Sequence, residues 1–143
     1  MITQRPLSQE PPPGPSFEVV ALRTTTRALP PRPRPALAAL RAMVDGGTAT
    51  RAALSATGWA ASEVTGMLVG AYSPGARRFI AHASAIPRQI VPGLETGHCF
   101  GVAVVRGLAD LIKGETLPDG AQVLALAPGR YSWSVLALRH RAR

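Results

Sequence analysis

Apolar and polar positions divide the chain into stretches of different periodicity. "SFEVVALRTTT" (16–26) is dense in β-branched residues and predicts a strand. "ALAALRAMVDGG" (36–47) places Leu37, Leu40 and Val44 at helical spacing, and Gly46-Gly47 is expected to stop that helix. "RAALSATGWAASEVTGMLVGAY" (51–72) predicts two further helices. The first is capped by Thr48 or Thr50 and runs to about Thr57. Gly58 supplies a left-handed turn, and the second helix runs from about Ala60 to the "SPG" at 73–75.

"ARRFIAHASAIPRQIVPG" (76–93) mixes β-branched residues with two prolines, and it predicts one or two short extended segments. In "CFGVAVVRGLADLIKG" (99–114) the first half is open between strand and helix. The second half is helical: Val104, Leu108 and Leu111 share a face, Arg106 and Asp110 pair at i,i+4, and Gly114 follows Lys113 as a stop. "LPDG" (117–120) is a turn. "AQVLALAPGRYSWSVLAL" predicts a β-hairpin about Pro128-Gly129, with Tyr131, Trp133 and Val135 on one face. The strand at 16–26 needs a partner, and the hairpin is the expected one.

Composition adds the flanks. The chain has 143 residues, room for one core. Fourteen prolines and fourteen glycines imply long loops or tails. "PPPGP" predicts a disordered tail over 1–15, and "ALPPRPRPAL" (28–37) a stiff polyproline-type linker with Arg32 and Arg34. A single small α+β domain is expected over 16–138, with a helical core over 36–72, then a helix and a C-terminal hairpin. Residues 139–143 are expected as a solvated basic tail.

The formal charge is +8, and Lys113 is the only lysine. Such a balance draws a small domain to nucleic acid, acidic proteins or anionic surfaces. Cys99 is the only cysteine, which excludes an internal disulfide or a multi-cysteine zinc site and fits a cytoplasmic setting. No stretch approaches a membrane span.

The helical pair centred on Gly58 suggests a specific chemistry. Val64 lies six positions after Gly58, Met67 and Leu68 continue its face, and Ala53 and Leu54 form the inner face of the preceding helix. "LSATGWAASEVTGML" resembles the "A…TG.S.STV..LL" pattern of helix-turn-helix and winged-helix DNA-binding regulators. Leu54 stands where that pattern usually holds Ala. The resemblance covers residues 37–72. It implies a recognition helix at 60–71 with Ala61, Ser62, Glu63, Thr65 and Gly66 facing outward. Ser62, Glu63 and Thr65 would touch DNA, with phosphate held by Arg51, Arg77 and Arg78 and by Arg41 nearby. The helix itself carries no Arg, Lys, Asn or Gln for base reading.

Other chemistry is thin. "TGHCFG" (96–101) puts His98 beside Cys99, ahead of a possible helix start that would activate a thiol. His140 is a conceivable partner, although it falls in the expected tail. His82 is expected half-buried and His140 solvated. No histidine pair has ligand spacing, the acidic residues are dispersed, and no phosphate loop is present. The expectations are therefore a non-enzymatic DNA-binding regulator without cofactor or metal. Its partners would be DNA and, in a homodimer, a second copy of itself. The alternative is a structural or interaction module that joins a protein partner in a larger assembly; no membrane partner is expected.

Overall fold

The computed structural model describes residues 14–26, 28, 35–70, 73–90, 102–114, 117–128 and 132–142. The expected tail (all but its last two residues), the heart of the proline linker, "TGHCFG", Gly129 and Tyr131 lie outside them. The elements in chain order are β1 (Ser16–Thr26), α1 (Pro35–Thr57), a 3-10 turn (Ala61–Glu63), β2 (Gly66–Leu68), α2 (Pro74–Ser84), β3 (Gln89–Ile90), α3 (Val102–Gly114), β4 (Gln122–Pro128) and β5 (Ser132–Arg141). They build a mixed five-stranded sheet of order β1-β5-β4-β2-β3. β4 is parallel to β2 and β2 to β3, while β5 runs antiparallel to both β4 and β1.

Helices cover both faces. On one face Ala49, Ala53, Trp59 and Ile80 pack with Met67, Leu124, Leu126, Trp133, Val135 and Ala137. α1 and α2 lie there. On the other face Val104 and Leu111 of α3 pack with Leu68, Val123, Ala125 and Leu138. The hairpin β4–β5 and its union with β1 are those expected from the pattern. So is the apolar face of α3, with Arg106 and Asp110 at 4.0 Å. β1 contains a bulge between Val19 and Ala21, which switches the side chains that face α3 from odd to even numbers.

Three expectations are corrected. First, α1 does not stop at Gly46-Gly47 but runs through them as one 23-residue helix. The two glycines serve close packing instead. A Cβ on Gly46 would lie 3.2 Å from the Trp133 ring, and one on Gly47 only 2.7 Å from the Ala83 carbonyl oxygen. Thr48 and Thr50 donate to the carbonyls of Val44 and Gly46 rather than capping a new helix. Gly58, at φ +70°, does end the helix in the left-handed region.

Second, the described part of the expected recognition helix contains one 3-10 turn and then a strand. Met67, Leu68 and Val69 are all buried, and Met67 and Val69 donate to the carbonyls of Arg88 and Ile90. A central parallel strand is covered on both faces, so it reads as an unbroken apolar run with no period of two. Val64, Met67 and Leu68 matched a helical stripe only because the whole run is apolar.

Third, "SPG" starts a helix rather than ending one. Ser73 caps α2, its Oγ accepting from Ala76 N at 3.3 Å, and Pro74 takes the first helical position. The extended reading of 76–93 holds only for β3. Likewise β5 continues to Arg141, so Arg139 and His140 belong to the sheet and not to a tail.

Candidate functional site

Topology marks one end of the sheet. β2 leads into α2 on one face, and α2 leads to the adjacent β3. β3 leads into α3 on the opposite face, and α3 leads to β4. The chain therefore leaves the carboxyl ends of two neighbouring parallel strands toward opposite faces. Open sheets of this kind carry a crevice at that point, and it is where they bind ligands. Both α2 and α3 begin at this end. Their free amide groups and dipoles favour negative charge there.

The elements at this end of the sheet are tightly held. Leu68 and Val69 are buried, and Val69 N donates to Ile90 O at 3.0 Å. α3 sits close against β2 because Gly107 has no side chain: a Cβ there would lie 2.5 Å from Leu68 Cδ1. Cys99 falls, in sequence, between β3 and α3, three positions before Val102. It lies outside the described residues.

The residues expected to bind DNA are scattered by this fold. Arg51 is exposed on α1, and its guanidinium donates to Ala83 O at 3.2 Å and to Thr48 Oγ1 at 3.1 Å, tying α1 to the end of α2. Ser62 is exposed on the 3-10 turn. Glu63 closes that turn: its Oε2 accepts from Ala60 N at 3.0 Å. Thr65 is half-buried, and its N–H donates to Gln122 O at 2.8 Å. Arg77 is half-buried on α2, its carbonyl accepting from Gln89 Nε2 at 2.7 Å. Arg78 beside it is exposed. No helix brings Ser62, Glu63 and Thr65 onto one outward face.

The histidines are exchanged relative to expectation. His82 is exposed. His140 is buried, with Nδ1 3.1 Å from Pro118 O and its ring tilted against Phe17 at 5.5 Å. Together with Ile112, Lys113, Gly114 and Leu117 it lines a cleft of about 260 Å³ at the C-terminal end of α3. Cys99 precedes the other end of that helix. Thirteen residues at about 1.5 Å each separate the two ends of α3. Among the described residues no group of three or more His, Cys, Asp or Glu side chains could hold a metal, and no helix is long and apolar enough to cross a membrane.

No family model matches the chain, and no curated protein matches it in sequence. Solved structures match its fold. One is 3-oxoacyl-(acyl carrier protein) synthase III from Pseudomonas aeruginosa, with TM-score 0.66 and 18% identity over 91% of this chain and 44% of that one. A tetronic acid condensing enzyme matches with TM-score 0.63 and 17% identity over 89% of this chain and 47% of that one. OleA from Xanthomonas campestris, solved with cerulenin, matches with TM-score 0.70 and 16% identity over 87% of this chain and 37% of that one. At these identities the fold is what is shared. The chain spans less than half the length of each of these proteins. The resemblance to helix-turn-helix regulators is overturned by these matches and by the strand at Gly66–Leu68. With it falls the DNA-binding regulator, and the matches lend no support to the alternative of a non-enzymatic assembly module.

Proposed function

We propose that this chain works as one half of a condensing-type enzyme and accepts an acyl group as a thioester on Cys99. One observation carries this reading. The only cysteine falls, in sequence, between β3 and α3, in a fold shared with 3-oxoacyl-(acyl carrier protein) synthases. A thiol ahead of a helix N-terminus ionises more readily than a free one, and the thiolate is the reactive species. A buried, inert thiol is the commoner role of a lone cysteine; the shared fold favours a reactive one here.

In the proposed step the Cys99 thiolate attacks the carbonyl carbon of an acyl thioester. A new carbon–sulfur bond forms, the bond to the carrier sulfur breaks, and the carrier thiol departs with the proton that Cys99 released. Free amides at the start of α3 are suited to stabilise the developing oxyanion. Incubation with acyl thioesters of N-acetylcysteamine, followed by intact-mass spectrometry, tests the step. The expected result is a single acyl adduct that maps to Cys99 and disappears in Cys99→Ala. Absence of an adduct across short and long acyl chains, with Cys99 alkylated no faster than a free thiol, overturns the reading.

A further inference from the structure

The cleft at the C-terminal end of α3 is not used by the acyl chemistry. His140 forms its floor and is only 4% exposed. The strand end holds this residue firmly. Its N–H donates to Ala121 O and its carbonyl accepts from Gly120 N, both at 2.9 Å, while the ring's Nδ1 lies 3.1 Å from Pro118 O. A carbonyl only accepts, so Nδ1 carries the hydrogen and Nε2 is the atom left to meet a ligand. Pro15, Ile112, Leu117 and Ala142 supply apolar walls. Lys113, the only lysine, stands exposed at the rim, and its flexible stem allows the ammonium to turn inward.

Among the described residues no acidic side chain lines this cleft. The charged groups on the surrounding elements are engaged elsewhere. On α3, Asp110 pairs with Arg106. On the turn before β4, Asp119 Oδ1 accepts from Ala142 N at 3.0 Å. Glu18 of β1 pairs with Arg141 of β5 at 2.6 Å, and Arg139 lies over Trp59 on the opposite face of the sheet. The cleft itself therefore presents one lysine and one imidazole between apolar walls.

We propose that this cleft binds a short-chain aliphatic carboxylic acid. One carboxyl oxygen accepts from Lys113 Nζ, and the other meets His140 Nε2 with a proton held between them. The alkyl chain lies against Ile112, Leu117 and Pro15. The volume of about 260 Å³ falls below the roughly 300–1,000 Å³ of pockets for drug-sized ligands, so the acid is small. An amine would set its charge against that of Lys113. A phosphate would bring about two negative charges to a single lysine and one imidazole.

The proposal does not rest on the acyl chemistry, since Cys99 precedes the other end of α3. A proton bound with the ligand makes the affinity fall as pH rises. The test is an amide chemical-shift titration of the full chain with sodium butyrate at about pH 6 and about pH 8. Saturable shifts are expected at residues 112–114, 117–120 and 140–142, with the tighter binding at the lower pH. His140→Gln should weaken binding about tenfold or more and remove its pH dependence. Lys113→Met, a surface change, should weaken it about two- to fivefold and decides the matter if His140→Gln fails to fold. Arg78→Met removes the same charge from the exposed side of α2 and should bind as wild type does. Butylamine should not bind. No saturable shift at these residues, binding that survives both cleft substitutions, or equal losses in Lys113→Met and Arg78→Met overturns the proposal.

Discussion

Gly47→Ala tests the packing that distinguishes this fold from a simple reading of its sequence. In an unobstructed helix interior, Ala is favoured over Gly by about 1 kcal/mol. If the helix stopped at Gly46-Gly47, an alanine there would meet no second helix. In the structure α1 continues and crosses α2 at this residue. An added Cβ would lie 2.7 Å from Ala83 O, 3.1 Å from the Ala83 carbonyl carbon and 3.2 Å from its Cβ. Two of these atoms are backbone, so relief requires moving α2 rather than turning a side chain.

Overpacking of this kind costs about 1–3 kcal/mol. The movement also strains the Arg51 bond to the same carbonyl, a group on an exposed side chain and a small contribution. Against the propensity gain, the net expectation is a loss of up to about 2 kcal/mol. For a chain of this size that lowers Tm by up to roughly 6 °C. Gly75→Ala in α2 is the control, because nothing lies within 4 Å of its added Cβ. It should be neutral or stabilise by up to about 1 kcal/mol. Thermal and urea unfolding followed by circular dichroism measure both. If Gly47→Ala gains stability as the control does, α1 and α2 do not meet as described.

Leu124→Ala removes a fully buried side chain from the centre of β4 and should cost about 2–5 kcal/mol in urea unfolding; a loss below about 1 kcal/mol would contradict its place in the core. Glu63→Ala should cost about 1 kcal/mol because Ala60 N–H loses its acceptor, whereas Glu63→Gln, which keeps a carbonyl oxygen, should recover most of it. Equal losses in the two variants would mean that the carboxylate contact is not what holds the turn.

Local chemistry alone determined a good part of this protein. β-branched density marked Ser16–Thr26, the alternation of Trp133 and Val135 marked β5, and the Val104–Leu108–Leu111 stripe with Gly114 marked the body of α3. Gly58 marked the end of α1 because a positive φ is a local property of glycine. Cys99 was also noticed from sequence, as a thiol ahead of a helix, but with nothing to raise it above an inert residue. Tertiary structure decided the rest. Gly46 and Gly47 are stop signals in isolation, and only the approach of Trp133 and Ala83 turns them into contact points inside a helix. The run from Val64 to Val69 fits a helix or a buried strand equally well. β3 and β4, at sequence distances no local pattern sees, decide for the strand by completing its hydrogen bonds on both sides. His140 reads as part of a charged tail until β1 and α3 close over it. β2 and β3 lie side by side and send their helices to opposite faces, an arrangement made by contacts distant in sequence and therefore invisible to any window along the chain.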